Sequence, residues 1–156
     1  TDAAPVRAVR ASNMSSGVRY DIGLDDARPW RVAMTYEPLA IVVDYGGEPN
    51  AVSANIALYQ PTFGMTVIPG QPIAGLIRAF EARYEYRFVD ARGTVLVDQF
   101  ATASLGTAEM WGVLTLAVPE LPDGPVTLEL RIRSPRDGSV LESVYTALVV
   151  TTRSVR

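Results

Sequence analysis

The sequence predicts an all-β protein whose residues 56–156 form a β-sandwich, and three observations carry that prediction. Between Ile73 and Val89 the chain alternates with a period of two. Phe80, Ala82, Tyr84, Tyr86 and Phe88 fall on one side, and Glu81, Arg83, Glu85 and Arg87 on the other. Helical spacing would scatter those aromatics around a cylinder, whereas a half-buried strand collects them on one face. Turn chemistry recurs every 8–12 residues or so, the rhythm of a sandwich, and no stretch shows helical periodicity.

In chain order, Val6 to Arg10, Gly17 to Leu24, Trp30 to Tyr36 and Leu39 to Tyr45 are strand candidates, with turns at Asp25-Asp26 and Glu37-Pro38 separating the later ones. Four short strands bury too little to stand alone. They are expected to pack on the sandwich, on further sequence, or on another polypeptide. The near-continuous apolar run Leu39-Ala40-Ile41-Val42-Val43 asks for burial on both faces, so the segment is expected to pair with a polypeptide outside the sandwich, whether further N-terminal sequence, a second copy or a different subunit. Gly46-Gly47-Glu48-Pro49-Asn50 opens a linker over residues 47–55, so residues 1–46 form one β segment and 56–156 the sandwich.

Within the sandwich, Asn55 to Gln60 and Met65 to Val67 are short strands punctuated by Pro61, Gly64, Pro69 and Pro72. The alternating run follows, and Asp90-Ala91-Arg92-Gly93 turns it into Thr94-Val95-Leu96-Val97, with Gly93 at a positive-φ position. Trp111 to Val118 is a strand stopped by Pro119, and Pro122-Asp123-Gly124 is a turn. Val126, Leu128, Leu130 and Ile132 alternate with polar residues. Pro135-Arg136-Asp137-Gly138 then leads into a last strand, Val140 to Val150. Phe80, Tyr84, Phe88, Trp111, Leu128 and Leu130 are expected to share one core.

Composition narrows the chemistry. All 14 basic residues are arginine, and there is no cysteine, histidine or lysine. That removes Ser-His-Asp and Cys-His pairs, thiolate zinc sites, Schiff bases and the P-loop lysine. Without cysteine no disulfide forms, which leaves the redox compartment open. A net charge of −3 gives no reason to expect nucleic acid or an anionic membrane as partner. No apolar run approaches the ~20 residues of a membrane span. Thr1 to Pro5 has neither the basic start nor the apolar core of a signal peptide, so an exported protein with this start is expected to be the mature form.

Each candidate site has a plainer reading. Trp111 could stack on a sugar, but a tryptophan opening a sandwich strand is usually core. The Glu81/Arg83/Glu85/Arg87 stripe reads as cross-strand ion pairs on a solvated face. Asp21, Asp25 and Asp26 match no calcium loop, and turns favour Asp anyway. Asn13-Met14-Ser15 fits the glycosylation acceptor pattern, which is common by chance. Arg131, Arg133 and Arg136 read as balancing Glu129 and Glu142. No catalytic, cofactor-binding or metal-ligating residue is therefore assigned, and no cofactor is expected.

Several blocks resemble a known family. Pro69-Gly70-Gln71-Pro72-Ile73-Ala74-Gly75, Phe80-Glu81-Ala82, Asp90-Ala91-Arg92-Gly93, Trp111-Gly112-Val113 and Ser134-Pro135-Arg136-Asp137-Gly138-Ser139 resemble, in order, the immunoglobulin-like domain of bacterial spore-germination proteins. Gly17 to Leu24, Arg28-Pro29-Trp30-Arg31-Val32, and Pro38 followed by Ile41-Val42-Val43-Asp44 resemble the C-terminal part of an AMIN-like domain. These resemblances imply an immunoglobulin-like sandwich over about 56–151, preceded at about 6–46 by a partial AMIN-like segment, in an exported protein of the bacterial envelope. They imply no catalytic site. The expected role is a non-catalytic binding or scaffolding module. Its expected partner is an envelope protein or cell-wall polymer, and self-association through unpaired edge strands is open to it. Two alternatives are a structural subunit of a larger envelope assembly or filament completed by strand exchange, and a cell-wall glycan hydrolase using two carboxylates.

Overall fold

A computed structural model describes residues 6–24, 30–36, 39–45, 49–106, 110–114 and 116–152. The first strands are β1 (Val6–Met14), β2 (Gly17–Leu24), β3 (Trp30–Tyr36), β4 (Leu39–Tyr45), β5 (Ala51–Val52), β6 (Ile56–Gln60) and β7 (Thr66–Val67). Next come β8 (Pro72–Ile77), β9 (Arg83–Asp90), β10 (Val95–Thr102), β11 (Trp111–Val113), β12 (Leu116–Ala117), β13 (Gly124–Arg133) and β14 (Val140–Val150). The fold is all-β, as the alternation requires.

Two sheets make the sandwich. One runs β10-β9-β13-β14-β7, and the other β4-β3-β11-β8-β6-β5, with β12 paired to β8. The long antiparallel ladder between β13 and β14 extends from Gly124↔Val150 to Arg133↔Val140. Its alternating residues Leu128, Leu130, Val144 and Leu148 enter the core with Tyr84 and Phe88 from β9 and Ile56, Leu58, Ile73 and Ile77 from the facing sheet. At ~25 cal/mol per Å² of apolar surface buried, this shared interior is the main source of stability. Two polar clamps tie the sheets at one side. Asn50 Nδ2 donates to Thr146 Oγ1 at 2.9 Å. Glu142 accepts from Ser53 Oγ at 2.6 Å, from the Asn55 backbone N–H at 2.9 Å, and from the Asn55 amide.

The N-terminal strands divide. β3 and β4 form a hairpin that joins the second sheet: β3 lies parallel to β11, with Trp111 opposite Ala33 and Gly112 opposite Met34. β5 falls inside the stretch read as a linker and pairs with β6. β1 and β2 make a separate two-stranded ribbon. In that ribbon Val9↔Ile22, Ala11↔Tyr20 and Asn13↔Val18 share a face, and Val9, Val18 and Tyr20 are all exposed.

Three expectations about side chains are corrected. Phe80 is 57% exposed, because residues 80–82 form a turn rather than the start of the strand. Trp111 is only half-buried at the rim, with the Arg78 guanidinium 5.4 Å from its ring, and lies outside the central cluster. Glu85, expected in water, is 5% exposed.

Candidate functional site

The outer face of the five-stranded sheet carries rows of paired side chains fixed by register. Asp98, Arg87, Glu129 and Tyr145 form one row, and Phe100, Glu85, Arg131 and Ser143 the next. Because opposed residues share a face, six charged groups interlock there. Arg87 pairs with Asp98 at 3.1 Å and with Glu129 at 3.3 Å. Arg131 holds Glu129 at 2.6 Å and reaches Glu85 at 3.6 Å, and Arg133 donates to Glu85 at 2.9 and 3.1 Å. With arginines paired around them, Glu85 and Glu129 are each only 5% exposed, on a face that no other described strand pairs across.

Burial alone pushes the Glu85 carboxyl up, but the hydrogen bond from Arg133 and the charges of Arg133 and Arg131 outweigh it and hold the group below its ordinary range. Glu129 follows the same balance: burial raises it, and the Arg131 hydrogen bond and charge bring it below the ordinary value. Arg131 is correspondingly raised, chiefly by its hydrogen bond to Glu129. Glu142 takes no part in this network, contrary to expectation. It faces the other way, in the clamp between sheets.

At one end of the ladder lies a cleft of about 470 Å³ lined by Phe80, Arg83, Glu85, Phe100, Arg133 and Pro135. An unusual backbone shapes its mouth. Glu81 and Ala82 take φ of 53° and 58°, two successive left-handed residues without glycine. Each costs roughly 1–2 kcal/mol against a right-handed conformation, a strain that persists only where surroundings enforce it. Here the surroundings are the backbone of 103–106. The Ala103 N–H donates to Ala82 O at 2.9 Å, and Gly106 approaches so closely that a Cβ there would lie 2.0 Å from Ala82 N. The turn thrusts Phe80 outward on the rim that also carries Phe100, itself 52% exposed. The Arg83 guanidinium stacks 4.2 Å from the centre of the Phe100 ring. Among the described residues no carboxylate pairs with Arg83. Across the cleft Arg133 is locked by Glu85 and by the Gly138 carbonyl at 2.8 Å.

The other candidates stay apart. Asp21 is held by Arg19 at 2.7 Å, and Asp25 and Asp26 lie outside the described residues. Asn13 is exposed near the tip of the β1–β2 ribbon. Arg136 is exposed in the β13–β14 turn, separate from the arginine ladder. Sequence reasoning assigned no site. The cleft residues Phe80, Arg83, Phe100 and Pro135 were visible only as strand and turn residues, and the pairing of β9 with both β10 and β13 is what assembles them. No described helix is long and apolar enough to cross a membrane.

No curated protein matches the chain. A family profile described as the immunoglobulin-like domain of bacterial spore germination matches residues 55–139, more than half of the chain. Its span takes in both the Phe80–Ala82 turn and the Ser134–Ser139 turn that border the cleft. With its two-sheet sandwich and this match, the chain belongs to the family of immunoglobulin-like domains of bacterial spore germination.

Proposed function

We propose that the chain is a non-catalytic binding and scaffolding module of an exported bacterial envelope protein, and that it binds a cell-wall polymer through the Phe80–Phe100 cleft. The observation that carries this reading is the strained turn, which spends stability to keep Phe80 in water beside a second exposed phenylalanine. Aromatic rings and an arginine at the rim of a concave surface suit a chain that offers apolar faces and carboxylates. The AMIN-like resemblance of residues 6–46 supports the envelope setting.

The test is co-sedimentation with purified peptidoglycan. The wild-type chain is expected in the pellet, and Phe80→Ser/Phe100→Ser in the supernatant at an unchanged melting temperature, since both rings are largely exposed. A wild-type chain that stays in solution would overturn the reading. A second reading, a structural subunit completed by strand exchange, draws on the β1–β2 ribbon, whose face bearing Val9, Val18 and Tyr20 is uncovered. The hydrolase reading draws no such support. A general acid needs a raised pKa, and the two buried carboxylates of the ladder, Glu85 and Glu129, are held low by arginine.

A further inference from the structure

β10 is the outermost strand of its sheet, and among the described residues nothing pairs with its free side. Edge strands are usually blunted by lysine, proline, irregularity or shortness. β10 has a bulge at its start, between Val95 and Val97, and then runs in unbroken register from Val97 to Thr102. That run contains no proline, and Asp98 is its one charged residue.

We infer that β10 pairs antiparallel with β10 of a second copy of this chain about a twofold axis at Gln99. In this register Gln99 faces Gln99 of the partner subunit, Val97 faces the partner's Ala101, and Asp98 faces the partner's Phe100. Asp98 and Phe100 both lie on the outer face, opposite Arg87 and Glu85. The partner's Asp98 thus arrives beside the ring on which Arg83 is stacked, and meets the one arginine at the cleft that has no carboxylate among the described residues. Each Asp98 is 44% exposed and keeps its own Arg87 at 3.1 Å, so it can bridge two guanidiniums. A twofold at Asp98 would instead set carboxylate against carboxylate, which is unfavourable.

The axis stands perpendicular to the sheet, so both copies present the same outer face. Two five-stranded sheets become one of ten strands, and the two clefts open side by side. This deepens the binding-module reading and rests on it for its purpose: a paired module holds a repeating polymer at two points and gains avidity without any new contact.

The natural absence of cysteine allows a register-specific test. Opposed residues across a strand pair have Cα atoms ~4.5–5.5 Å apart, within disulfide reach, while diagonal ones stand ~7–8 Å apart. Under mild oxidation Gln99→Cys is expected to give a covalent dimer, and Asp98→Cys and Phe100→Cys are not. In sedimentation equilibrium Arg83→Glu and Asp98→Arg should each weaken the dimer by roughly tenfold or more. The double variant Arg83→Glu/Asp98→Arg should recover it. A wild-type chain monomeric at ~100 μM with no Gln99→Cys dimer overturns the pairing, and so does a dimer indifferent to the charge swap. A monomer that still pellets with peptidoglycan sinks the pairing alone, whereas a dimer that does not pellet sinks the cleft reading alone.

Discussion

Gly106 shows how one residue without a side chain sustains the conformation of two others. A methyl group there would lie 2.0 Å from Ala82 N and 2.4 Å from Glu81 C, both backbone atoms with no rotamer to change. Gly106→Ala must therefore displace the turn that presents Phe80. The expected loss is about 2 kcal/mol, typical of forcing atoms into a filled site, measurable by urea unfolding. An equally stable variant would show that the turn is not braced in this way. The same turn explains why Phe80 was misread. The period-two pattern runs unbroken through it, and the left-handed residues are Glu81 and Ala82 rather than glycine, so composition gives no sign of the break. Where a glycine does hold positive φ, as Gly93 does at 85°, the turn was legible.

At the scale of elements, the alternation and the cross-strand ion pairs of the charged stripe are legible in the sequence and Arg83 is exposed as expected, but the burial of Glu85 is not. Alternation is local, but cover over Glu85 comes from Arg131 and Arg133, 46 and 48 positions away, and depends on β9 pairing with β13. The consequence is a defined response to acid. Glu85 and Glu129 titrate below their ordinary range in the folded chain, so the unfolded chain binds protons more readily. Stability from these pairs is complete above the ordinary glutamate value of about 4.3 and is lost as pH falls through the depressed folded values. The melting temperature should hold level from neutrality to about pH 5 and decline below it. Glu142, lowered by Ser53 and Asn55 against the effect of its burial, acts in the same direction. Glu129→Gln should lower stability at pH 7 by about 3 kcal/mol, because it leaves Arg131 without its closest charge, and should flatten the acid limb. A limb unchanged in that variant would assign the acid response to other groups.

For the whole molecule, three of the four strands of residues 6–45 were legible to the residue: Gly17–Leu24, Trp30–Tyr36 and Leu39–Tyr45 are found with the expected bounds, while the first runs on from Arg10 to Met14. Their destination was not. A parallel pair such as β3 with β11 joins segments some 78 positions apart and leaves no mark in either stretch. The cleft was hidden for the same reason, since 80–85, 100 and 133–135 meet only once the strand order is known. Among the described residues, the core cluster draws on none before Ala51. Deleting residues 1–46 should therefore leave a chain that melts cooperatively, with a lower midpoint from the uncovered edge of β11. Loss of the cooperative transition would make the β3–β4 hairpin integral to the fold.

The short strand β7 and the end of β14 lie parallel, joined from Gly64 N to Ala147 O, Val149 N to Met65 O and Thr151 N to Val67 O at 2.7–3.0 Å. Because the two strands are parallel, tension applied between the residue preceding β7 and the residue following β14 drags them past each other lengthwise. Such a load strains all three hydrogen bonds at once instead of peeling them singly. The junction then acts as a mechanical latch, and forced unfolding, which is set by the unfolding rate rather than by equilibrium stability, should begin there. In single-molecule pulling, Val149→Pro, which removes the donor to Met65 O, is expected to lower the rupture force well beyond its effect on the melting temperature. Equal rupture forces in the two chains would place the mechanical resistance elsewhere.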